Sequence, residues 1–68
     1  MKNEWKFAES LKAVAVGFFE KHGFRVIYGT QDDIYMLHPT DAAEAVKYGT
    51  ALFSPRAMEA IGETLSEF

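Results

Sequence analysis

Apolar residues recur at helical spacing over the first third of the chain. On a wheel of about 100° per residue, Phe7, Ala8, Leu11, Val14, Ala15, Phe18 and Phe19 fall on one side, and Lys6, Glu9, Ser10, Glu20 and Lys21 fall opposite. The pattern predicts a long N-terminal helix that turns this stripe to a core, with Trp5 and Val16 half exposed at its edge. Asn3 stands where it can cap the helix, and Glu4 suits its first turn. Lys21 and His22 complement the last turn, and Gly23 supplies a left-handed stop.

The period then changes. Residues 24–28 and 34–38 are short, apolar and rich in β-formers, and five turn-forming residues, 29–33, separate them. A hairpin follows. With a symmetric five-residue loop, Tyr28 faces Ile34, Val26 faces Met36 and Phe24 faces His38, and this face packs on the first helix. The other face carries Arg25, Ile27, Tyr35 and Leu37, too apolar to be left to water, so a second element must cover it.

Pro39 ends the second strand. Thr40 or Asp41 then caps a short alanine-rich helix, with Glu44 placed for a capping box, running to Tyr48 and stopped by Gly49. Residues 50–53 are a candidate third strand. Ser54-Pro55 is a strong start for a last helix, in which Met58, Ile61, Leu65 and Phe68 form a stripe with Ala57. This helix is the expected cover for the hairpin's second face. Gly62 within it costs about 1 kcal/mol relative to alanine. The fold class is therefore α+β, with a long N-terminal helix, a hairpin to which residues 50–53 are a candidate third strand, and two C-terminal helices. It forms one domain over residues 1–68, since a second core has no residues left to build it.

Composition sharpens this picture. An apolar share of 49% favours a packed globule over a disordered segment, yet a chain of 68 residues has a marginal core, and without cysteine no disulfide can reinforce it. The absence of cysteine fits a reducing compartment, and the expected location is cytoplasmic. The longest apolar run, residues 13–19, is far short of the ~20 residues a membrane span requires, so no membrane association is expected.

The net charge of -3 is unevenly placed. Up to residue 34 five basic residues balance five acids; beyond it, Lys47 and Arg56 face Asp41, Glu44, Glu59, Glu63 and Glu67. Such a chain lacks the clustered Lys and Arg that grip phosphate backbones, so direct nucleic-acid binding is not expected, and a protein partner with a basic surface is. Glu59, Glu63 and Glu67 recur every four residues on the helix face opposite Met58, Ile61 and Leu65. Like charges at that spacing repel, and Glu63 and Glu67 oppose the helix dipole, a cost consistent with a docking stripe as well as with a solvated face.

Candidate chemistry is sparse. His22 and His38 are the only histidines and match no metal-ligand spacing, so no metal is expected. Asp32-Asp33 reads as turn chemistry, Ser54 as a helix cap, and none of the glycines is spaced to cradle phosphate, so no cofactor is expected either. The last two helices could pass for a helix-turn-helix, but the reading helix would turn Glu59, Glu63 and Glu67 to the bases, where Arg, Asn or Gln belong.

The string Phe18-Phe19-Glu20-Lys21-His22-Gly23-Phe24-Arg25-Val26 resembles the helix-to-strand passage of GNAT acetyltransferases, and a similar string occurs in glyoxalase-like proteins. The coenzyme-binding signature of the acetyltransferases is missing, so the resemblance implies neither activity nor site. In general character the small, acidic, cysteine-free chain resembles phage-encoded inhibitors such as anti-CRISPR proteins, which implies a host nucleic-acid-handling complex as the partner.

The expected function is that of a non-catalytic acidic protein-interaction module, not an enzyme. Its expected partner-binding residues are Glu59, Glu63 and Glu67 with the aromatics Trp5 and Tyr48. The alternative is a structural role as an obligate homodimer that buries surplus apolar surface.

Overall fold

The computed structural model describes the backbone of residues 4–67 and the side chains of residues 7–67. Asn3, Phe68 and the side chain of Trp5, each assigned a part above, lie outside the described residues. The elements run α1 (Glu4–Lys21), β1 (Phe24–Gly29), β2 (Ile34–Pro39), α2 (Ala42–Tyr48), β3 (Ala51–Phe53) and α3 (Pro55–Ser66). The α+β arrangement is the one the sequence pattern predicts, and the candidate third strand is present as β3.

The boundaries follow local chemistry. Gly23, at φ 91°, ends α1 in the left-handed region that a side chain disfavours. The Asp41 carboxylate accepts the Glu44 backbone N–H at 3.0 Å and starts α2, which closes as the Gly49 N–H donates to the Ala45 carbonyl. The Ser54 hydroxyl accepts the Ala57 N–H at 3.1 Å and Pro55 takes the first turn of α3. Because β3 stands between α2 and α3, the two helices do not form a helix-turn-helix.

The sheet is antiparallel in the order β1-β2-β3. Its hairpin register differs by one residue from the symmetric expectation. Gly29 joins β1 and pairs with Ile34, the loop shrinks to residues 30–33, and Asp33 closes it at φ 49°. Val26 therefore faces Leu37 and Tyr28 faces Tyr35, where Met36 and Ile34 were expected. Since side chains alternate, this slip turns every residue of β2 to the other face. Tyr35 and Leu37 point inward, joined by Phe53 opposite Tyr35, while Ile34, Met36 and His38 point outward with Arg25, Ile27 and Leu52.

The core sits between the inward face and two helices. Ala15, Tyr35, Leu37 and Met58 are its buried centre, with Val16, Phe19, Phe24, Val26, Phe53 and Ile61 packed around them. Residues of α1 and α3 both belong to this cluster, so α3 lies beside α1 and does not cover the opposite face as expected. Gly62 explains the placement. A Cβ there would lie 1.8 Å from the Leu11 carbonyl oxygen, so only glycine lets the two helix backbones come this close. The helices run antiparallel, Met58 meeting Ala15 and Gly62 meeting Leu11.

This contact also rotates α1 from its expected orientation. Its inward arc is Ala8, Leu11, Ala15, Val16 and Phe19, while Phe7, Val14 and Phe18, placed inward by the pattern, are exposed. The small residues Ala8 and Ala15 fit the close contact better than larger ones. Lys12 shares the inward arc with its side chain only 17% exposed, and its ammonium pairs with Glu9 at 3.0 Å. The hydrogen bond to Glu9 raises the Lys12 pKa above the usual lysine value, and the charge of nearby Glu59 adds to the effect.

Candidate functional site

The residues named as partner-binding from sequence do not form one site. Glu63 and Glu67 are exposed, and among the described residues neither makes an ion pair. Glu59 is half-buried and lies near Lys12, so the stripe is partly compensated at its first member. Tyr48 is 69% exposed at the end of α2, with the Lys47 ammonium 5.2 Å from its ring centre. The main contact of α2 is with β2, so Tyr48 and the acidic row belong to different parts of the surface.

The structure offers instead a surface that the expected register concealed. The face of the sheet turned away from α1 and α3 carries Ile27, Ile34, Met36 and Leu52, joined across the strands by the pairs Ile27–Met36 and Met36–Leu52. Leu52 is 58% exposed. The whole molecule is only 12 Å deep along its thinnest axis, the depth of one sheet and one layer of helix. Nothing in the described chain forms a third layer over these side chains. A two-layer domain with one apolar sheet face toward water has a surface of the kind that proteins use for association.

The two ends of the sheet differ. At one end, Arg25, Ile27, His38, Pro39 and Thr40 line a shallow hollow. His38 Nδ1 and the Thr50 hydroxyl lie 2.9 Å apart, a hydrogen bond that ties the end of β2 to the segment entering β3. At the other end is the 30–33 loop with exposed Asp32 and Asp33. The Tyr28 hydroxyl donates to the Asp33 carboxylate at 2.5 Å, and the Tyr28 ring stacks on Tyr35 with centroids 4.6 Å apart. That hydrogen bond, with the carboxylate's charge, pushes the Tyr28 phenol up to about 12.

Apolar side chains are exposed elsewhere too. Phe7, Val14 and Phe18 line the outer side of α1, where the Phe18 ring packs on His22 at 4.4 Å between centroids. Val46 is 89% exposed on α2. Among the described residues no three histidines, aspartates or glutamates converge to hold a metal ion, and no helix is long and apolar enough to cross a membrane. Ser54 serves as a cap, Ser66 donates to the Gly62 carbonyl and His38 is bonded to Thr50.

The outer sheet face was partly legible in the sequence. The composition of the hairpin signals more apolar residues than one helix can cover; only the loop length, which sets the register, conceals which of them are left out. Comparison with known proteins finds no matching family model, no matching curated protein and no matching solved structure.

Proposed function

We propose that the chain is a non-catalytic protein-interaction module that binds through the outer face of its sheet. The observation that carries this reading is the outward apolar row Ile27, Met36 and Leu52, half-buried at its first two members and exposed at Leu52, in a molecule one sheet and one helix layer deep. Apolar side chains that remain in water after folding gain about 25 cal/mol for each Å² a partner removes from it. Leu52 is suited to anchor such a contact, because it projects from a short edge strand and is the most exposed of the row.

The test is a photo-crosslinking residue at position 52, compared with one at position 63, in cells of the source. Defined protein adducts from position 52 support the sheet face. Adducts from position 63 alone would overturn it in favour of the acidic row.

A second reading keeps that row as the contact. The exposed carboxylates of Glu63 and Glu67, without an ion pair among the described residues, support docking to a basic surface, as an inhibitor of a nucleic-acid-handling complex would require, within a cytoplasmic setting. Here binding should weaken steeply with salt, and replacing Glu59, Glu63 and Glu67 with glutamine should remove most of that salt dependence. Salt-independent binding would reject this reading.

A further inference from the structure

We infer that the hollow lined by Arg25, Ile27, His38, Pro39 and Thr40 binds a small organic carboxylate. The acid group sits between Arg25 and His38, and the apolar part of the ligand lies against Ile27 and Pro39. This site is independent of what docks on the apolar row, since its ligand is a small molecule at the end of the strands.

The backbone sets the pair. Arg25 and His38 are direct partners across β1 and β2, so their side chains leave the same face of the sheet from positions about 5 Å apart. The surroundings of the pair are tied down. The Thr40 hydroxyl and the Thr40 backbone N–H both donate to the Gly23 carbonyl, at 3.2 and 3.0 Å, and join the two ends of the hairpin. His38 is half-buried, and its Nδ1 lies 2.9 Å from the Thr50 hydroxyl. That bond uses one ring nitrogen and leaves Nε2 for a ligand. When the Thr50 hydroxyl donates, Nε2 carries the ring proton, and in the charged ring it carries one as well. Nε2 is a donor to an anion in both states.

Arg25 completes the set. Its guanidinium is exposed and, among the described residues, makes no ion pair. No acid lines the hollow, and the nearest in sequence, Asp41, accepts the Glu44 backbone N–H. The space measures about 420 Å³, within the range of small-molecule sites.

Charge selects the ligand class. A cation beside an apolar wall fits a molecule with the complementary two parts, and the planar fork of arginine matches a carboxylate or a phosphate. The hollow holds one permanent positive charge, in a chain of net charge -3. A single negative charge suits it better than a double one. A monocarboxylate carries one charge at neutral pH, whereas a phosphate monoester carries close to two.

The experiment is a titration of the full, isotope-labelled chain with benzoate at constant ionic strength, followed by the backbone amide and histidine-ring NMR signals. Saturable shifts are expected at Arg25, Ile27, His38 and Thr40, with a dissociation constant in the millimolar range, as one exposed ion pair and a small apolar contact allow. Benzylamine, of similar shape and opposite charge, should shift none of them, and phenyl phosphate should bind more weakly than benzoate. Arg25→Gln should weaken benzoate binding about tenfold, and Arg25→Lys, which keeps the charge and loses the fork, about threefold. Arg56→Gln removes an exposed arginine from α3 and should leave the affinity unchanged.

The absence of saturable shifts at these four residues overturns the inference. So does binding that Arg25→Gln leaves intact, or that Arg56→Gln weakens equally. Phenyl phosphate binding more tightly than benzoate would overturn the carboxylate as the ligand class.

Discussion

Gly62 carries more of the fold than its size suggests. In a helix considered alone it is a weak residue, and alanine would be expected to improve it. Its surroundings reverse the sign. The Leu11 carbonyl occupies the place a methyl group would take, and backbone cannot rotate out of the way as a side chain can. Gly62→Ala should therefore destabilise the protein by about 3 kcal/mol or more, at the upper end of overpacking costs, read as a lower denaturation midpoint. An unchanged or raised midpoint would show that the helices can separate at no cost. Tyr28 offers a second test at this scale. Its phenol is held protonated in the folded state, so its contribution to stability is present below the ordinary tyrosine value of 10.0 and is lost as the pH rises through about 12. In an ultraviolet titration, Asp33→Asn should bring the Tyr28 transition down toward 10.0, because the charge is removed while asparagine still tolerates φ 49°. A transition that stays near 12 would assign the shift to the stacking on Tyr35.

At the scale of elements, the sequence declared its helix ends and strand segments well, because those depend on neighbours within a few residues. Gly23, Asp41, Gly49, Ser54 and Pro55 act where the chain order placed them. The register and the helix faces were less legible because they depend on distant partners. One residue in the hairpin loop decided whether Met36 or Leu37 entered the core. Lys12 made the true inward arc of α1 look polar, and its pairing with Glu9 is what allows it there. The two C-terminal helices also differ in what they contribute. The buried side of α3 carries Met58 and Gly62, whereas α2 has no buried residue. Ser54→Ala should therefore cost about 1 kcal/mol of global stability. Asp41→Ala should mainly fray α2, visible as faster amide exchange over Ala42–Tyr48 with a smaller change in the unfolding midpoint. Equal global losses from the two caps would show that α2 is coupled to the core through contacts other than its own side chains.

For the molecule as a whole, size sets the terms. Among the described residues only the apolar side chains of Leu37 and Met58 are large and fully buried, a small interior for a domain without disulfides. The sequence announced this shortage through its length and its surplus of apolar residues, and it announced the acidic C-terminal half. It could not show that α1 and α3 share one side of the sheet, because that follows from the contact between Gly62 and Leu11, residues far apart in the chain. Once both helices stand together, the opposite face is left uncovered, and the candidate site moves from the acidic row to the strands. The depth of 12 Å and the apolar outer row are thus two expressions of one packing decision.

The same sheet ends in β1, a six-residue strand with no neighbour on its far side among the described residues. Its free amides and carbonyls form a template that any extended chain of suitable register can extend. Covering the broad surface of the sheet leaves this rim open, so protection against fibre growth falls to Arg25, the one charged side chain on the strand. A margin guarded by so little would tolerate changes to many surface residues and have small tolerance for an apolar one at that position.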